Sequence, residues 1–296
     1  MGQIRHADRA GGLAVDATAA HGMKDLQTIA DRLIAAQDTA TTLPPITTGA
    51  PDFSVADGYA VLRDIEQRRR AQGWRAVGRK IGFTNRTIWP RYGVYQPMWA
   101  HVWSNTVHFA ADGKASLPLH SCVQPRIEPE VVFKLKGPVP LTDDPLALLA
   151  AVEWIAPGFE IVQSHFPDWK FKAADCTAAC GLHGALVVGT PIALDNSERT
   201  RLAAALPICK VTLSRGEEVI DRGVGANVLD SPALALGHLA RLLAGQPETP
   251  PLAAGEIVTT GTITDAWPVS PGEIWSADYG ALGISGLTLR FTEPQR

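Results

Sequence analysis

The sequence predicts an α+β fold in which a helical N-terminal segment precedes a large, mixed, β-rich core. Three observations carry this reading. Residues 24–73 place apolar side chains at helical spacing on either side of a Pro-rich break. After Trp74 the chain becomes a series of short runs rich in Val, Ile and Thr, punctuated by Gly and Pro. Amphipathic helical patterns interrupt those runs only at "DPLALLAAVEWI" and "SPALALGHLARLLAG".

Taken in order, residues 1–23 ("MGQIRHADRAGGLAVDATAAHGM") lack the apolar core of a signal peptide and the Arg/Ser bias of a transit peptide. They read as a disordered leader, or as sequence upstream of a start at Met23. "KDLQTIADRLIAAQDTA" is a helix, "LPPITTGAPDF" a break, and "SVADGYAVLRDIEQRRRAQG" a second helix with Ser54 as N-cap and Gly73 as stop. Arg68, Arg69 and Arg70 read as its solvated end. The predicted strands are "AVGRKIGF", "IEPEVVFKL", "HGALVVG", "ICKVTLSRG", "EEVIDRG", "EIVTTGTIT", "EIWSADYG" and "GISGLTLRF". The two later helices open at Asp144 and Ser231. The division expected is a leader over 1–23, a helical segment over 24–73 and a core over 74–296.

Composition excludes several classes of function. Hydrophobic residues make up 46% and charged residues 19%, as in ordinary globular proteins, and the net charge is −3. That balance offers nothing to nucleic acid or an anionic membrane. No apolar run approaches the roughly 20 residues needed to span a bilayer, so a cytoplasmic protein is expected. Cys122, Cys176, Cys180 and Cys209 form no CxxC pair and no zinc spacing, and read as buried free thiols.

The stretch "PRIEPEVVF" carries the chemistry. In a strand, Glu128 and Glu130 share a face, so two like charges stand side by side before a buried run. Their repulsion and desolvation oppose such an arrangement unless a hard cation cancels the charge. Glu160, in "APGFEIVQSHFPDW", follows a Pro-Gly turn and enters another apolar stretch, which makes it the third ligand of choice. Spacing alone also allows exposed acids at strand edges. By the same measure Lys80 reads as a solvated lysine at a strand end. "TTGTIT" sets Thr260, Thr262 and Thr264 on one face if the segment stays extended, either as substrate donors or as β-branched packing. Lys170, two residues after Asp168, either pairs with an acid or faces the site.

"IEPE" followed by "PGFEIV" resembles the Glu-x-Glu…Glu metal set of the fumarylacetoacetate hydrolase superfamily. The match is closest to its 2-keto-4-pentenoate hydratase and 4-oxalocrotonate decarboxylase branch. "GRKIGFTN", "YGVYQPMW", "FPDWKF", "GVGANVLDSPALALGHLA" and "AAGEIVTTGTITDAWPVSPGEIWSADYGALG" agree in order, so the likeness covers most of the chain from Trp74 to Phe291. The resemblance implies a β-rich barrel or roll with an N-terminal helical cap, assembled as a homo-oligomer. It implies Mg²⁺ or Mn²⁺ on Glu128, Glu130 and Glu160, chelated by the carboxylate and 2-oxo oxygens of a small 2-oxo acid. Lys80 carries over as a cation near that substrate, and Thr262 or Thr264 as a donor to its carboxylate.

The departures from the branch pattern are specific. Tyr95 stands in the lid segment where an acid is expected before Gln-Pro, a substrate-facing position. His165 stands where an arginine is usual, and His183 where a small residue is usual. Either histidine is a candidate general base, or a satisfied structural residue. Tyr92, Tyr95, Trp99 and Trp103 form pocket walls or a core cluster. The leading expectation is a Mg²⁺-dependent hydro-lyase acting on a 2-hydroxydienoate in aromatic catabolism. The alternatives are hydrolysis of an acylpyruvate C–C bond, which needs His165 or His183, decarboxylation of a 2-oxo dioate, and a non-catalytic partner subunit.

Overall fold

The computed structural model describes residues 25–246 and 248–293, so the expected leader over 1–23 lies outside the described residues. Helix α1 (Leu26–Thr39) opens where the Asp25 side chain accepts from the Thr28 N–H. A single turn, α2 (Ile46–Gly49), occupies the Pro-rich break. Helix α3 (Val55–Ala71) starts with a reciprocal capping box between Ser54 and Asp57 and stops at Gly73, whose φ is +88°. Ile29 and Leu33 of α1 and Leu62 and Ile65 of α3 enter the same hydrophobic core as the strands that follow. Of the three arginines at the end of α3, Arg68 and Arg70 pair with Asp64 and Glu66 one turn back. Arg69 departs from the solvated reading. It is buried, bonds Asp38 at 2.7 Å and lies over the Trp74 ring, because α1 covers that face.

The rest of the chain runs β1 (Ala76–Gly82), α4 (Trp89–Tyr92), β2 (Met98–Trp103), β3 (Val107–Phe109), β4 (Lys114–Pro118), β5 (Arg126–Leu135), α5 (Pro145–Ala150), β6 (Val152–Val162), α6 (Ala173–Ala178), β7 (His183–Val188), β8 (Ile192–Ala193) and α7 (Asn196–Ala205). It ends with β9 (Lys210–Arg215), β10 (Glu218–Val224), α8 (Pro232–Ala244), β11 (Ile257–Thr262), β12 (Trp267–Pro268), β13 (Ile274–Asp278) and β14 (Leu287–Thr292). The strands form two mixed sheets. The larger has the order β2-β1-β11-β5-β6-β7-β3, with β12 on β5 and β8 on β6; the smaller has the order β10-β9-β13-β14-β4. Phe133 and Phe159 of the larger sheet, Leu213 and Phe291 of the smaller, and Leu236 of α8 share one core. The α+β reading holds. No described helix is long and apolar enough to cross a membrane.

Two local expectations fail for visible reasons. The helix predicted through Ile155 stops at Ala150, because Val152, Trp154 and Ile155 are β-formers claimed by β5 and β8. The Pro-Gly turn before Glu160 is absent, since β6 runs straight through Pro157 and Gly158. Gly158 tolerates no side chain there: a Cβ would lie 2.4 Å from Val132 Cγ2. The buried Tyr279 hydroxyl reaches between the two strands, donating to the Glu130 carbonyl at 2.7 Å and accepting from the Gly158 N–H at 3.3 Å.

Candidate active site

Alternation along β5 puts Arg126, Glu128 and Glu130 on one face. The antiparallel register of β5 and β6 then sets Glu128 opposite Glu160, and Glu130 opposite Gly158. All three carboxylates therefore converge, with one oxygen from each within 4.8 Å of the others. Directly opposed like charges destabilise a strand pair, and Glu130 and Glu160 are both 0% exposed. Each has one oxygen satisfied. Glu130 Oε2 accepts from the Gly261 N–H at 2.8 Å, while Glu160 Oε1 takes His183 Nδ1 and Lys80 Nζ, each at 2.8 Å. Glu130 Oε1 and Glu160 Oε2 are buried without a hydrogen-bond partner. Two orphaned carboxylate oxygens beside a third carboxyl are a donor set for a hard divalent cation.

Electrostatics sorts the three acids. Burial, then repulsion from Glu160 and Glu128, drives the Glu130 carboxyl well above its usual range. Burial raises Glu128 to about 7 against the pull of Lys80. Glu160 also suffers from burial, but Lys80 and His183 outweigh it and hold the group at about 2. Lys80 is not a solvated lysine at a strand end. It is 3% exposed on β1, and its Nζ donates to the Gly181 carbonyl as well as to Glu160, both at 2.8 Å. Burial would lower the ammonium's pKa, yet Glu160, Glu128 and Glu130 together raise it, so the cation persists.

The "TTGTIT" segment does not stay extended. The β11–β5 register shifts between Thr259 and Thr262, and Gly261 sits at φ +99°. Thr260 therefore turns inward and donates to the Val131 carbonyl. Thr262 and Thr264 line the cavity, and their hydroxyls rest on the backbone carbonyls of Thr264 and Asp265. A Cβ on Gly261 would lie 1.9 Å from Thr84 Oγ1. We expect Gly261→Ala to cost about 2–3 kcal/mol through positive φ and overlap, and to displace the donor on Glu130. A thermal melt together with metal titration checks both effects, and an unchanged melt would contradict the account.

The carboxylates, Lys80 and the two threonines line a cavity of about 320 Å³. Phe83, Tyr92 and Phe171 form one apolar wall, with Tyr92 stacked on Phe171 at 5.0 Å. Tyr92 is thus a wall residue, whereas Trp99 and Trp103 are buried in core aromatic clusters. Arg126, 4.1 Å over the Trp169 ring, and the exposed Asp265 also line the cavity. Neither was singled out from the sequence. Strand alternation from Glu128 back to Arg126 was the available signal for one, and the acid ending "TTGTITD" for the other. Cys176 touches the cavity, but burial pushes its thiol up to about 12, which makes it inert.

Four expected site residues lie elsewhere. Tyr95 is 84% exposed in the loop after α4 and does not line the cavity. Lys170 points to solvent and pairs with exposed Asp168 at 3.3 Å. His165 is buried away from the cavity, with Nδ1 2.9 Å from the Thr41 carbonyl. The chain after β6 runs back against the N-terminal segment there, as the Leu43 N–H to His165 carbonyl bond shows. His183 touches Glu160 but lines a different cavity on the far side of that carboxylate.

No protein-family profile matches the chain. It is 32% identical to 2-hydroxyhexa-2,4-dienoate hydratase of Comamonas testosteroni over 276 residues, covering 90% of this chain and 98% of that one. It is also 32% identical to 2-keto-4-pentenoate hydratase of Paraburkholderia xenovorans, covering 86% and 91%. Among solved structures, 4-oxalocrotonate decarboxylase from Pseudomonas putida G7, complexed with magnesium and adipate, superposes with a TM-score of 0.80. That pair shares 26% identity over 90% of this chain and 97% of the other. With the carboxylate triad, the buried lysine and full-length similarity in agreement, the chain belongs to the fumarylacetoacetate hydrolase superfamily, in its 2-keto-4-pentenoate hydratase and 4-oxalocrotonate decarboxylase branch.

Proposed function

We propose that the chain is a divalent-metal-dependent hydratase that adds water to a short 2-hydroxy-2,4-dienoate in the breakdown of aromatic compounds. The observation that carries this is the pair of orphaned buried oxygens on Glu130 and Glu160 beside the Lys80 cation. Glu128, Glu130 and Glu160 would hold Mg²⁺ or Mn²⁺, both of which suit oxygen ligands. Bound there, the ion supplies a Lewis acid for the substrate's 2-oxygen.

The chain's own residues supply the rest. Lys80 remains protonated and sets a fixed positive charge where negative charge develops on that oxygen. Thr262 and Thr264 turn their hydroxyls from backbone carbonyls to the substrate carboxylate. Phe83, Tyr92 and Phe171 receive the apolar tail. The enol proton leaves O2 while a proton arrives at C5, giving an enone. Water oxygen then bonds to C4, and the remaining proton ends on C3. Asp265, a carboxylate at the cavity wall, orients that water and fills the place of the acid that Tyr95 does not provide.

Decarboxylation of a 2-oxo dioate is the second reading, favoured by the absence of either candidate histidine from the cavity. It requires no activated water. Hydrolysis of an acylpyruvate loses its support for the same reason, and the intact carboxylate and lysine set argues against a non-catalytic subunit. Residues 24–73 as a cap, 74–296 as the catalytic core, homo-oligomeric assembly and a cytoplasmic setting complete the proposal on the resemblance alone.

Purified protein with Mg²⁺, with and without EDTA, is to be offered 2-hydroxypenta-2,4-dienoate, a 2-oxo-hexenedioate and an acylpyruvate, with products read by mass. A single product heavier by one water establishes the hydratase. Loss of CO₂ from the dioate establishes the decarboxylase. Two fragments including pyruvate, or turnover surviving complete metal removal, would overturn the proposal.

A further inference from the structure

We propose that His183 is a positioning residue that fixes Glu160 to present a single oxygen to the cation, and that it is not the general base. The inference rests on the carboxylate metal site proposed above. Its grounds are the two ring contacts and the local strand geometry.

His183 opens β7 beside β6, and the register between those strands shifts between Ile161 and Val162. A shift of this kind re-aims a side chain relative to regular alternation. Here the ring lies against Glu160, with Nδ1 2.8 Å from Oε1 and Nε2 2.8 Å from Thr106 Oγ1. An ionised carboxylate only accepts, so Nδ1 carries the hydrogen towards Glu160, and Nε2 is held by the Thr106 hydroxyl oxygen. The Thr106 hydroxyl donates to the Trp103 carbonyl at 2.9 Å and accepts from the Trp103 N–H at 3.3 Å, which anchors the oxygen that meets Nε2.

Both nitrogens are therefore committed, and neither faces the substrate cavity. A general base needs a free lone pair within reach of water. Glu160 Oε1 meanwhile receives His183 and Lys80 together, while Oε2 receives nothing. Two donors on one oxygen pin the carboxylate plane and leave the other oxygen as the ligand atom. Outer partners of this kind typically set metal affinity by about 10–100-fold.

The test is Mn²⁺ affinity by electron paramagnetic resonance on wild type, His183→Ala, His183→Asn and His183→Gln, with kcat and KM at saturating metal. An asparagine amide nitrogen can take the place of Nδ1, while the glutamine amide corresponds to Nε2. The expected order is a loss of about 10–100-fold in affinity for His183→Ala, recovery in His183→Asn and no recovery in His183→Gln. Most of the turnover of all three should return at saturating metal. Thr106→Val, which frees Nε2 without touching Glu160, guards against misfolding of the alanine variant and should weaken Mn²⁺ by a smaller factor. Wild-type Mn²⁺ affinity in His183→Ala with turnover lost at saturation would make His183 a base and overturn the inference. Equal affinity in all variants would do the same. No Mn²⁺ binding by wild type would instead overturn the carboxylate site itself.

Discussion

Glu160→Gln is expected to lower kcat/KM at fixed Mg²⁺ by at least about 1,000-fold, equivalent to some 4 kcal/mol of transition-state stabilisation. The substitution keeps shape and removes charge, which separates electrostatics from packing. Three interactions fail together at this position. The cation loses the ligand with an orphaned oxygen, Lys80 loses its nearest counter-charge at 2.8 Å, and His183 faces an amide that can present its own donor. Lys80 would then be a buried ammonium close only to Glu128 and Glu130, whose own carboxyls favour protonation. Breaking one side of a buried ion pair typically costs about 3–5 kcal/mol, so the metal-free variant should also melt earlier. Glu128→Gln should be milder, because Glu128 is only half-buried and neither of its oxygens is among the orphans. Steady-state rates across a Mg²⁺ series, with circular dichroism to verify folding, decide the matter. Retention of more than about a tenth of wild-type kcat/KM, a loss of under 1.4 kcal/mol, would remove Glu160 from the reaction.

What the sequence revealed of this site follows from the reach of its signals. Alternation is local, so Glu128 and Glu130 could be placed on one face from nine residues. Pairing Glu160 with them needed a strand register, and the sequence supplied instead a false turn at Pro157-Gly158. Those residues punctuate most chains, but here a tyrosine hydroxyl more than a hundred residues away sustains the strand pair. Thr262 and Thr264 reached the cavity by a route other than the extended one, because Gly261 breaks the strand. The histidines show the opposite limit. Proximity in sequence to site segments suggested a chemical role for His165 and His183, yet side-chain direction depends on where the chain turns after β6 and on the shift between β6 and β7. Lys80 is the clearest case of burial overturning a local reading. Nothing in "GRKIGF" distinguishes a solvated lysine from one enclosed by a carboxylate and the Gly181 carbonyl contributed from a hundred residues on.

The same cluster makes the metal-free protein pH-sensitive in a direction opposite to ordinary acid denaturation. Glu128 and Glu130 have folded-state pKa values above the unfolded value of 4.5, so the fold retains protons that the unfolded chain releases. Their contribution is complete below about pH 4.5; the Glu128 share is lost as pH rises through about 7, and the Glu130 share as pH rises through that group's own raised pKa. For Glu128 alone, 1.36 kcal/mol per unit gives a loss on the order of 3 kcal/mol. Glu160, held at about 2, contributes stability that is already complete above 4.5 and stays constant across this window. Lys80, raised above its usual range, is likewise unchanged until far higher pH. Buried His165, with its pKa lowered, works the other way, losing stability as pH falls, but it does so whether or not the cation is bound. A bound cation replaces the protons and holds all three carboxylates ionised. The Tm gap between Mg²⁺-saturated and EDTA-treated protein should therefore widen steadily from about pH 5.5 to about pH 8. A gap that stays constant or narrows over that range would mean the cation does not bind where the three glutamates meet.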